Sequence, residues 1–549
     1  MNRKRILATT ALVAVLGSSG AVHATGAPAP RPLAAGSQVG DQHRSMLQFQ
    51  GTRPAPKPHA GTIRTLTVHV LDRAGQPATD TYVEAVDLVT GETYDGDVTA
   101  GRAVVQVPAG RYGVGSVIST PDAVTIAYRA DLDVTADLEL ALDARSARPV
   151  SVALDNPQAR QVMTEVFLAQ HTAVGLVQFP QSSINADADH QGQLYVTPTG
   201  RADVDLQVHS VWTKGGAAND SPFVYDVLST GSSGVPAEPT YRVRTRDLAT
   251  VRTTYAAQGN DADAVEGAIA LPDGDFVGLF GRWSFGVGLH LPAVRTEYYT
   301  PGSVTWNGQL NLLADSGQAD SLFGDAHYDH PGRYARSWNG APLGPRFGSP
   351  ATRTGDDLSV AASMYSDAAG QMGLDSSYVG ATGETALYRD GQLVARTDQA
   401  GQLDATLSPD PASYRLTTGV RRDVSYSQYA SRQLVTWTFH SQPGAPALSL
   451  LVARYGARLD AYGRTPAGRP CPLTVGLEAT PGSPKPVAGS VGLWVSYDDG
   501  TTWHAVRVAG GRATSTPPAS ARFVSLRVTG RDQAGNTVDQ TVIRAFGVK

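Results

Sequence analysis

The densest group of side chains able to do chemistry in this chain is the segment 325–330, Asp-Ala-His-Tyr-Asp-His. Asp325, His327, Asp329 and His330 supply carboxylate and imidazole groups, and both types of ligand suit a zinc ion. A Pro-Gly pair follows directly, so the segment is predicted to lie in a loop. No distant His or Glu set accompanies it. The favoured interpretation is a polar loop, and a metal site is the alternative.

Motifs of hydrolytic enzymes are absent from the chain. Neither the nucleophile elbow Gly-x-Ser-x-Gly, nor the zinc motif His-Glu-x-x-His, nor the motifs of a serine-peptidase triad occur, and no Gly-rich nucleotide loop is present. The single cysteine, Cys471, lies between two prolines and is predicted to be a packed small side chain. The sequence therefore assigns no catalytic residue and no cofactor.

The elements that would have to position any site are predicted to be β-hairpins. A pattern of Asp, any residue, Ala, Gly and then Gln or Asn occurs at 72–76, 367–371, 398–402 and 532–536. In such a segment the Asp carboxylate can accept hydrogen bonds from following backbone N–H groups, while Gly adopts positive φ without steric cost. Alternating apolar residues flank the copies, which indicates tight turns between strands.

A second turn motif lies near the C-terminus. The segment 496–503 matches the Asp-box pattern Ser-x-Asp-x-Gly-x-Thr-Trp. We expect Asp498 to cap the amides of the turn, Gly500 to permit the reversal and Trp503 to pack beneath the hairpin. Because no second copy is found, the motif predicts one stabilised hairpin and gives no support for a glycosidase.

Composition limits where the protein acts and what it binds. The chain has 549 residues, a net charge of −5 and no long basic run, so a nucleic-acid partner is not expected. Residues 1–24 have the basic, apolar and small-residue regions of a secretory signal peptide, which places the start of the mature chain near Thr25. No later segment is long and apolar enough for a membrane anchor. The protein is therefore expected to be secreted.

The sequence predicts an all-β chain of tandem β-sandwiches. The Pro- and Ala-rich leader is expected to be disordered or extended, and the segment 159–170, which fits either a helix or a strand, is interpreted as a strand. The predicted division is a leader at 25–62, a carboxypeptidase-regulatory-like sandwich at 63–148, a β-rich domain at 149–313, a sandwich-like domain at 314–447 and an Ig-like sandwich at 448–549.

Several segments support a resemblance to a known family. The chain resembles the non-catalytic region downstream of the protease domain in large secreted subtilisin-like serine peptidases of actinobacteria such as Streptomyces. The segments that carry it are 65–78, 107–112, 334–339, 387–391, 414–418 and 524–544. None of the three catalytic residues of that family has a matching position here, so the resemblance implies ancestry and architecture without the activity.

Three functional hypotheses follow. The favoured one is a secreted, non-catalytic module that binds an extracellular protein, a polysaccharide or a separate peptidase. The second is a secreted hydrolase, related to serine peptidases or metal-dependent, with an unrecognised site. The third is a glycan- or cell-wall-binding protein that uses exposed aromatic side chains. Its candidates are Trp212, Trp283, Trp306 and Trp338, although core packing is the favoured role for tryptophan in a sandwich.

Overall fold

The computed structural model describes residues 48–50, 61–172, 175–184, 193–231, 234–272, 285–315, 319–373, 380–444, 448–480, 483–487 and 489–549. The predicted signal peptide, 1–24, and most of the predicted leader, 25–62, lie outside these residues. Within the leader, Gln48–Gln50 forms a short strand that pairs antiparallel with residues 176–178.

Within the described residues the chain forms forty β-strands and two short 3-10 helices. The strands of the first half are β1 (Gln48–Gln50), β2 (Ile63–Leu71), β3 (Tyr82–Asp87), β4 (Thr93–Asp97), β5 (Arg102–Pro108), β6 (Gly110–Thr120), β7 (Ala123–Val134), β8 (Leu138–Asp143), β9 (Arg148–Pro149), β10 (Ser151–Leu154), β11 (Ala159–Thr172), β12 (Gly175–Ile184), β13 (Gln193–Val196), β14 (Val204–Lys214), β15 (Phe223–Gly231), β16 (Thr240–Val243), β17 (Ala249–Tyr255), β18 (Ala262–Pro272), β19 (Val287–Leu291) and β20 (Ala293–Tyr299). The 3-10 helices are Ala144–Ser146 and Thr245–Asp247.

The strands of the second half are β21 (Val304–Leu313), β22 (Ala319–His327), β23 (Gly332–Trp338), β24 (Gly344–Phe347), β25 (Thr352–Thr354), β26 (Asp357–Ser366), β27 (Met372–Gly373), β28 (Ala381–Arg389), β29 (Gln392–Thr397), β30 (Gln402–Thr406), β31 (Ala412–Arg422), β32 (Arg432–Ser441), β33 (Val452–Ala457), β34 (Arg464–Thr465), β35 (Cys471–Glu478), β36 (Gly492–Ser496), β37 (His504–Val506), β38 (Arg512–Ser515), β39 (Phe523–Arg531) and β40 (Thr537–Val548). The prediction of an all-β chain of tandem β-sandwiches is confirmed, and the strand interpretation of 159–170 is correct.

Period-two alternation explains why these segments are strands. In β5, Ala103, Val105 and Val107 are buried, whereas the residues between them are exposed. Such a segment can bury one face only if it is extended, because successive side chains of a strand point to opposite sides.

The N-terminal part is a sandwich of a three-stranded sheet, β5-β2-β8, and a six-stranded sheet, β4-β3-β6-β7-β13-β9. Its core includes Leu66, Val68 and Tyr112. The strand β13, at residues 193–196, belongs to this sheet although it follows the predicted boundary at 148.

The middle part pairs an eight-stranded sheet, β1-β12-β11-β14-β15-β20-β17-β23, with a five-stranded sheet, β19-β18-β21-β22-β27. The edge strand β23 pairs in parallel with β17, so this sheet continues past the predicted boundary at 313. Val166, Leu168 and Val208 on the eight-stranded sheet share a core with Ile126 and Leu194 of the N-terminal part.

The C-terminal part has one continuous core that runs from Ala341 to Phe546. Its largest sheet has nine strands, and in it β32 pairs antiparallel with β40. These two strands come from different predicted domains, 314–447 and 448–549. Hydrogen-bonded sheets therefore cross the three predicted boundaries at 148, 313 and 447. The division into four domains stays a prediction.

Three of the four recurring turns have the same geometry. In the copies at Asp72, Asp367 and Asp532, the carboxylate accepts hydrogen bonds from two backbone N–H groups of its own loop. The glycine three residues later adopts a φ of +77° to +99°. The copy at Asp398 differs, because the N–H of Gly401 donates to Thr385 Oγ1 and Thr418 Oγ1 at 2.9 and 2.8 Å.

Candidate functional site

The predicted metal-binding segment is not a continuous loop. Asp325 and His327 lie in β22, where Asp325 pairs with Asn307 of β21 and its carboxylate accepts a hydrogen bond from the Asn307 amide at 2.6 Å. The prediction of a loop was wrong for these two residues. Their polar side chains alternate with Ala326 and Tyr328, which pack towards the core, so the segment satisfies the strand pattern up to His327.

The structure brings only two of the four predicted ligands together. His327 Nε2 lies 3.4 Å from Asp329 Oδ1, and both side chains are exposed. His330 instead contacts the hydroxyl of Tyr334 through Nδ1 at 2.8 Å. Among the residues that the structure describes, no group of three or more His, Cys, Asp or Glu side chains is arranged to hold a metal ion.

The Asp-box segment forms a capped hairpin between β36 and β37. Asp498 accepts hydrogen bonds from the Thr502 N–H at 2.8 Å and from the Thr502 hydroxyl at 2.6 Å. The hydrogen bonds from Thr502 lower the pKa of the Asp498 carboxyl to about 2. Gly500 has a φ of +88°, and the ring of Trp503 lies 3.4 Å from the position a Cβ would occupy there. These residues stabilise the turn between β36 and β37.

Two of the tryptophans proposed for surface recognition belong to the core. Trp306 and Trp338 are fully buried, and Trp212 is partly buried with its ring N–H donating to Ser210 at 3.0 Å. Trp283 lies outside the described residues. The favoured prediction of core packing is therefore correct for Trp306 and Trp338, and Cys471 is also buried.

A network of buried charges lies between the two sheets of the middle part and was missed in the sequence. Arg295 of β20 donates hydrogen bonds to Glu266 of the facing sheet and to Glu297, with the nearest Glu297 contact at 2.7 Å. The hydroxyls of Thr253 and Tyr255 also donate to Glu297. All five residues have at most 2% of their surface exposed.

The same layer contains a buried histidine between two carboxyl groups. His209 Nε2 lies 3.3 Å from Asp226, and its Nδ1 lies 3.7 Å from Glu165. The ring of Trp306 packs edge-on against His209 at a centroid distance of 5.5 Å. Burial opposes the charged imidazole, yet the hydrogen bond that His209 makes to Asp226 and the charge of Glu165 raise the pKa of His209.

Burial and the neighbouring charges shift the pKa values of Glu266 and Glu297 in opposite directions. Desolvation, with the charge of Glu297 beside it, raises the pKa of Glu266 to about 8. The Glu297 carboxyl is equally desolvated, but Arg295 and the hydrogen bonds it accepts lower its pKa. Glu266 is therefore held protonated near neutral pH while Glu297 stays ionised.

The sequence carries only a weak signal for this network. Arg295 and Glu297 occupy alternate positions in a strand, a pattern that is typical of a solvated face. Only the packing of β18 onto β20 reveals that this face is internal, because Glu266 is 29 residues away from Arg295 in the chain.

An exposed pair of a potential nucleophile and a potential base lies in the C-terminal part, away from the buried network. Ser413 Oγ and His440 Nδ1 are 2.9 Å apart on the neighbouring strands β31 and β32. They line an open groove of about 640 Å³ together with Arg389 and Asp390. In the described residues no side chain orients the second nitrogen of His440, which a catalytic triad requires. The groove thus holds a serine and a histidine in contact, without the third member of a triad among the described residues.

A polar junction connects the middle part to the C-terminal part. Gln258 accepts hydrogen bonds from Arg422 at 2.9 Å and from Ser427 at 2.6 Å, and donates to Asn339. The neighbouring backbone is paired as well, with the Gln428 N–H donating to the Gln258 carbonyl at 2.8 Å. A cavity of about 10 Å³ lies at this junction, close to the smallest space that can hold one water molecule. The junction fixes the two parts to each other.

Across the described residues, no helix is of a length and apolarity that could cross a membrane.

Comparison with known proteins finds only distant structural similarity. No protein-family model and no curated protein matches the chain. It is similar to a streptococcal ancillary pilin at 9% identity, with 51% of this chain and 100% of that chain covered and a TM-score of 0.12. It is also similar to the four N-terminal Ig domains of Dscam1 isoform 4.44, at 10% identity, 73% and 97% coverage and a TM-score of 0.11. A mutant Salmonella α-2-macroglobulin gives 10% identity, 89% and 40% coverage and a TM-score of 0.15. Scores of this size transfer no function.

Proposed function

We propose that the protein is a secreted, non-catalytic module that binds or positions extracellular partners, of the kind that accompanies subtilisin-like peptidases. The observation that supports this most is that the interacting titratable side chains of the middle part are buried. His209, Glu266 and Arg295 are the titratable groups at the centre of this part of the described chain, and each is at most 2% exposed. A substrate cannot reach them without opening the sandwich, so in the folded protein these groups are not available for catalysis on a bound substrate.

Rigid connections between the parts favour the same function. The C-terminal part has a single core, and the junction at Gln258 and Arg422 holds the middle part against it. A protein that presents a surface at a fixed distance gains from such connections, because inter-domain motion would otherwise cost binding entropy.

An activity assay tests the proposal. Protein purified from the culture medium is incubated with casein and fluorogenic peptides, with and without a serine-directed inhibitor. We expect no turnover above that of a mock purification. Turnover that co-purifies with the protein and is blocked by the inhibitor would contradict the proposal. N-terminal sequencing of the same material tests secretion, with a start near Thr25 as the expected result.

A hydrolase remains a second candidate because of the hydrogen bond between Ser413 and His440. A fluorophosphonate probe labels a serine only if its hydroxyl is activated as a nucleophile. Stoichiometric labelling that disappears in Ser413→Ala, and persists in the control Ser408→Ala, would favour the hydrolase. Absence of labelling would remove it.

A further inference from the structure

One open sheet face of the middle part carries arginine and hydroxyl side chains and no acidic residue. It is the outer side of β20, β17 and β23, here called the arginine face. Its outward residues are Val294, Thr296 and Tyr298 on β20, Thr250, Arg252 and Thr254 on β17, and Arg333, Ala335 and Ser337 on β23. The alternate residues of the same strands point inward, and Glu297 and Arg295 of the buried network are among them.

The arginine face carries positive charge without a compensating carboxylate. None of its nine residues is acidic, although the chain as a whole has a net charge of −5. Arg252 and Arg333 are both exposed, and neither forms an ion pair with any residue that the structure describes. A guanidinium group with unused donors is a ready partner for carboxylate oxygens.

Strand pairing fixes the spacing of the two arginines. Thr250 pairs with Arg333, so Arg252 lies one strand across and two residues along. With about 4.8 Å between strands and about 3.3 Å per residue, their Cα atoms are about 8 Å apart. The face is open at one side, since β23 is the edge strand of its sheet. A chain-like ligand could therefore cross it and extend beyond the edge.

The remaining side chains suit a hydroxyl-rich ligand better than a protein. Thr250 lies beside both arginines, and Thr254 and Thr296 lie beside Arg252, so three hydroxyls surround the charged groups. Val294, 56% exposed, is the only aliphatic side chain of the face larger than alanine. Protein interfaces usually have an apolar or aromatic centre. The one aromatic ring, Tyr298, is held in a 4.2 Å stack with Tyr225 at the end of the face.

We propose that the arginine face binds an extended polysaccharide that carries carboxylate groups, such as a polymer of uronic acids. The two guanidinium groups bind carboxylates of nearby sugars, and the threonine hydroxyls beside them bind sugar hydroxyls. This assignment rests on the proposed binding function and names its partner class.

Binding to a defined polymer tests the proposal. Affinity electrophoresis of the full-length mature protein uses alginate as the polyuronate, dextran as the neutral polymer and polyglutamate as the acidic peptide. We expect retardation by alginate that decreases with added salt. The double variant Arg252→Gln/Arg333→Gln should bind about tenfold more weakly, with an unchanged circular dichroism spectrum. Arg507→Gln removes an exposed arginine elsewhere and should bind like the parent protein.

Each other result contradicts the proposal. Absence of retardation by alginate, or equal retardation by dextran, excludes recognition of uronate. Full binding by the double variant places the site elsewhere, and equal or stronger retardation by polyglutamate assigns the face to acidic protein segments. The activity assay is independent of these outcomes, so failure of the polysaccharide assignment is distinguishable from failure of the non-catalytic function.

Discussion

The carboxylate of Asp367 accepts a hydrogen bond from the backbone N–H of Asn339 at 2.8 Å, which connects the second Asp-x-Ala-Gly turn to the end of β23. The same carboxylate accepts from Gly370 and Gln371 of its own loop. Asn339 in turn has a φ of +62° and contacts Gln258 through its side chain. A turn motif thus also positions the junction between the middle and C-terminal parts.

Replacing Asp367 with alanine should therefore be costly. Three backbone N–H groups would lose their acceptor in a buried loop, and we expect a loss of about 3 kcal/mol in the free energy of unfolding. The matched control is Asp398→Ala in the third copy, since no hydrogen bond to that exposed side chain occurs within the described residues. It should cost less than about 0.5 kcal/mol. Urea denaturation of both variants measures the difference, and equal losses would show that the carboxylate contacts are unimportant.

The buried carboxyl group of Glu266 should make stability depend on pH. Its pKa rises from 4.5 to about 8 on folding because of desolvation and the charge of Glu297, while Arg295, Asp226 and Arg336 also act on it. Between pH 4.5 and 8 the folded protein therefore holds a proton that the unfolded chain has lost. Stability should fall as pH rises through this window, by at most about 1.4 kcal/mol per pH unit from this group.

The variant Glu266→Gln tests that origin. Glutamine has the same shape and stays neutral, so the slope between pH 4.5 and 8 should decrease relative to the parent protein. The raised pKa of Asp226, whose cause is burial, adds a slope of the same sign and should remain in the variant. Thermal unfolding across this pH range provides the measurement. An unchanged slope would mean that Glu266 is already ionised in the folded state.

Two glycines with the same φ allow the cost of backbone strain to be distinguished from the cost of a steric clash. Gly500 and Gly535 both have a φ of +88°. A Cβ at Gly500 would lie 2.8 Å from the Cδ1 atom of Ile543, whereas a Cβ at Gly535 would meet no atom within 4 Å. Gly535→Ala should cost about 1 kcal/mol from backbone strain alone, and Gly500→Ala about 1 kcal/mol more. Chemical denaturation would contradict this explanation if the two losses were equal.

Loss of Arg422 should loosen the junction. Its guanidinium donates to Gln258 and Ser427 and lies 4.1 Å from the centre of the Tyr365 ring. Arg422→Ala should reduce the free energy of unfolding by about 3 kcal/mol and expose the junction to proteolysis. Arg421→Ala, at the exposed neighbouring position, should change it by less than about 0.5 kcal/mol. Equal proteolysis of both variants would contradict a role for the junction in rigidity.

Local patterns in the chain were enough to predict the strands and turns. The alternation in β5 and the Asp-Gly pair between β28 and β29 specify conformation over a few residues, because pleating and positive φ are local properties. The capping of three recurring turns follows from the same local chemistry. The third copy, at Asp398, differs because Thr385 of β28 and Thr418 of β31 accept hydrogen bonds from its glycine N–H.

Strand pairing and the burial of each sheet face depend on residues that are far apart in the chain. No pattern in the sequence indicates that Glu266 meets Arg295, that β32 joins β40, or that Arg252 and Arg333 share one uncompensated face. An alternating polar strand looks the same whether its polar side meets water or another sheet. The sequence alone determined that this protein is built from strands and capped turns, since those depend on neighbouring residues. Only the tertiary structure decided which polar faces are sealed and which are open, because sheet pairing sets burial, and burial sets the cost of each charge.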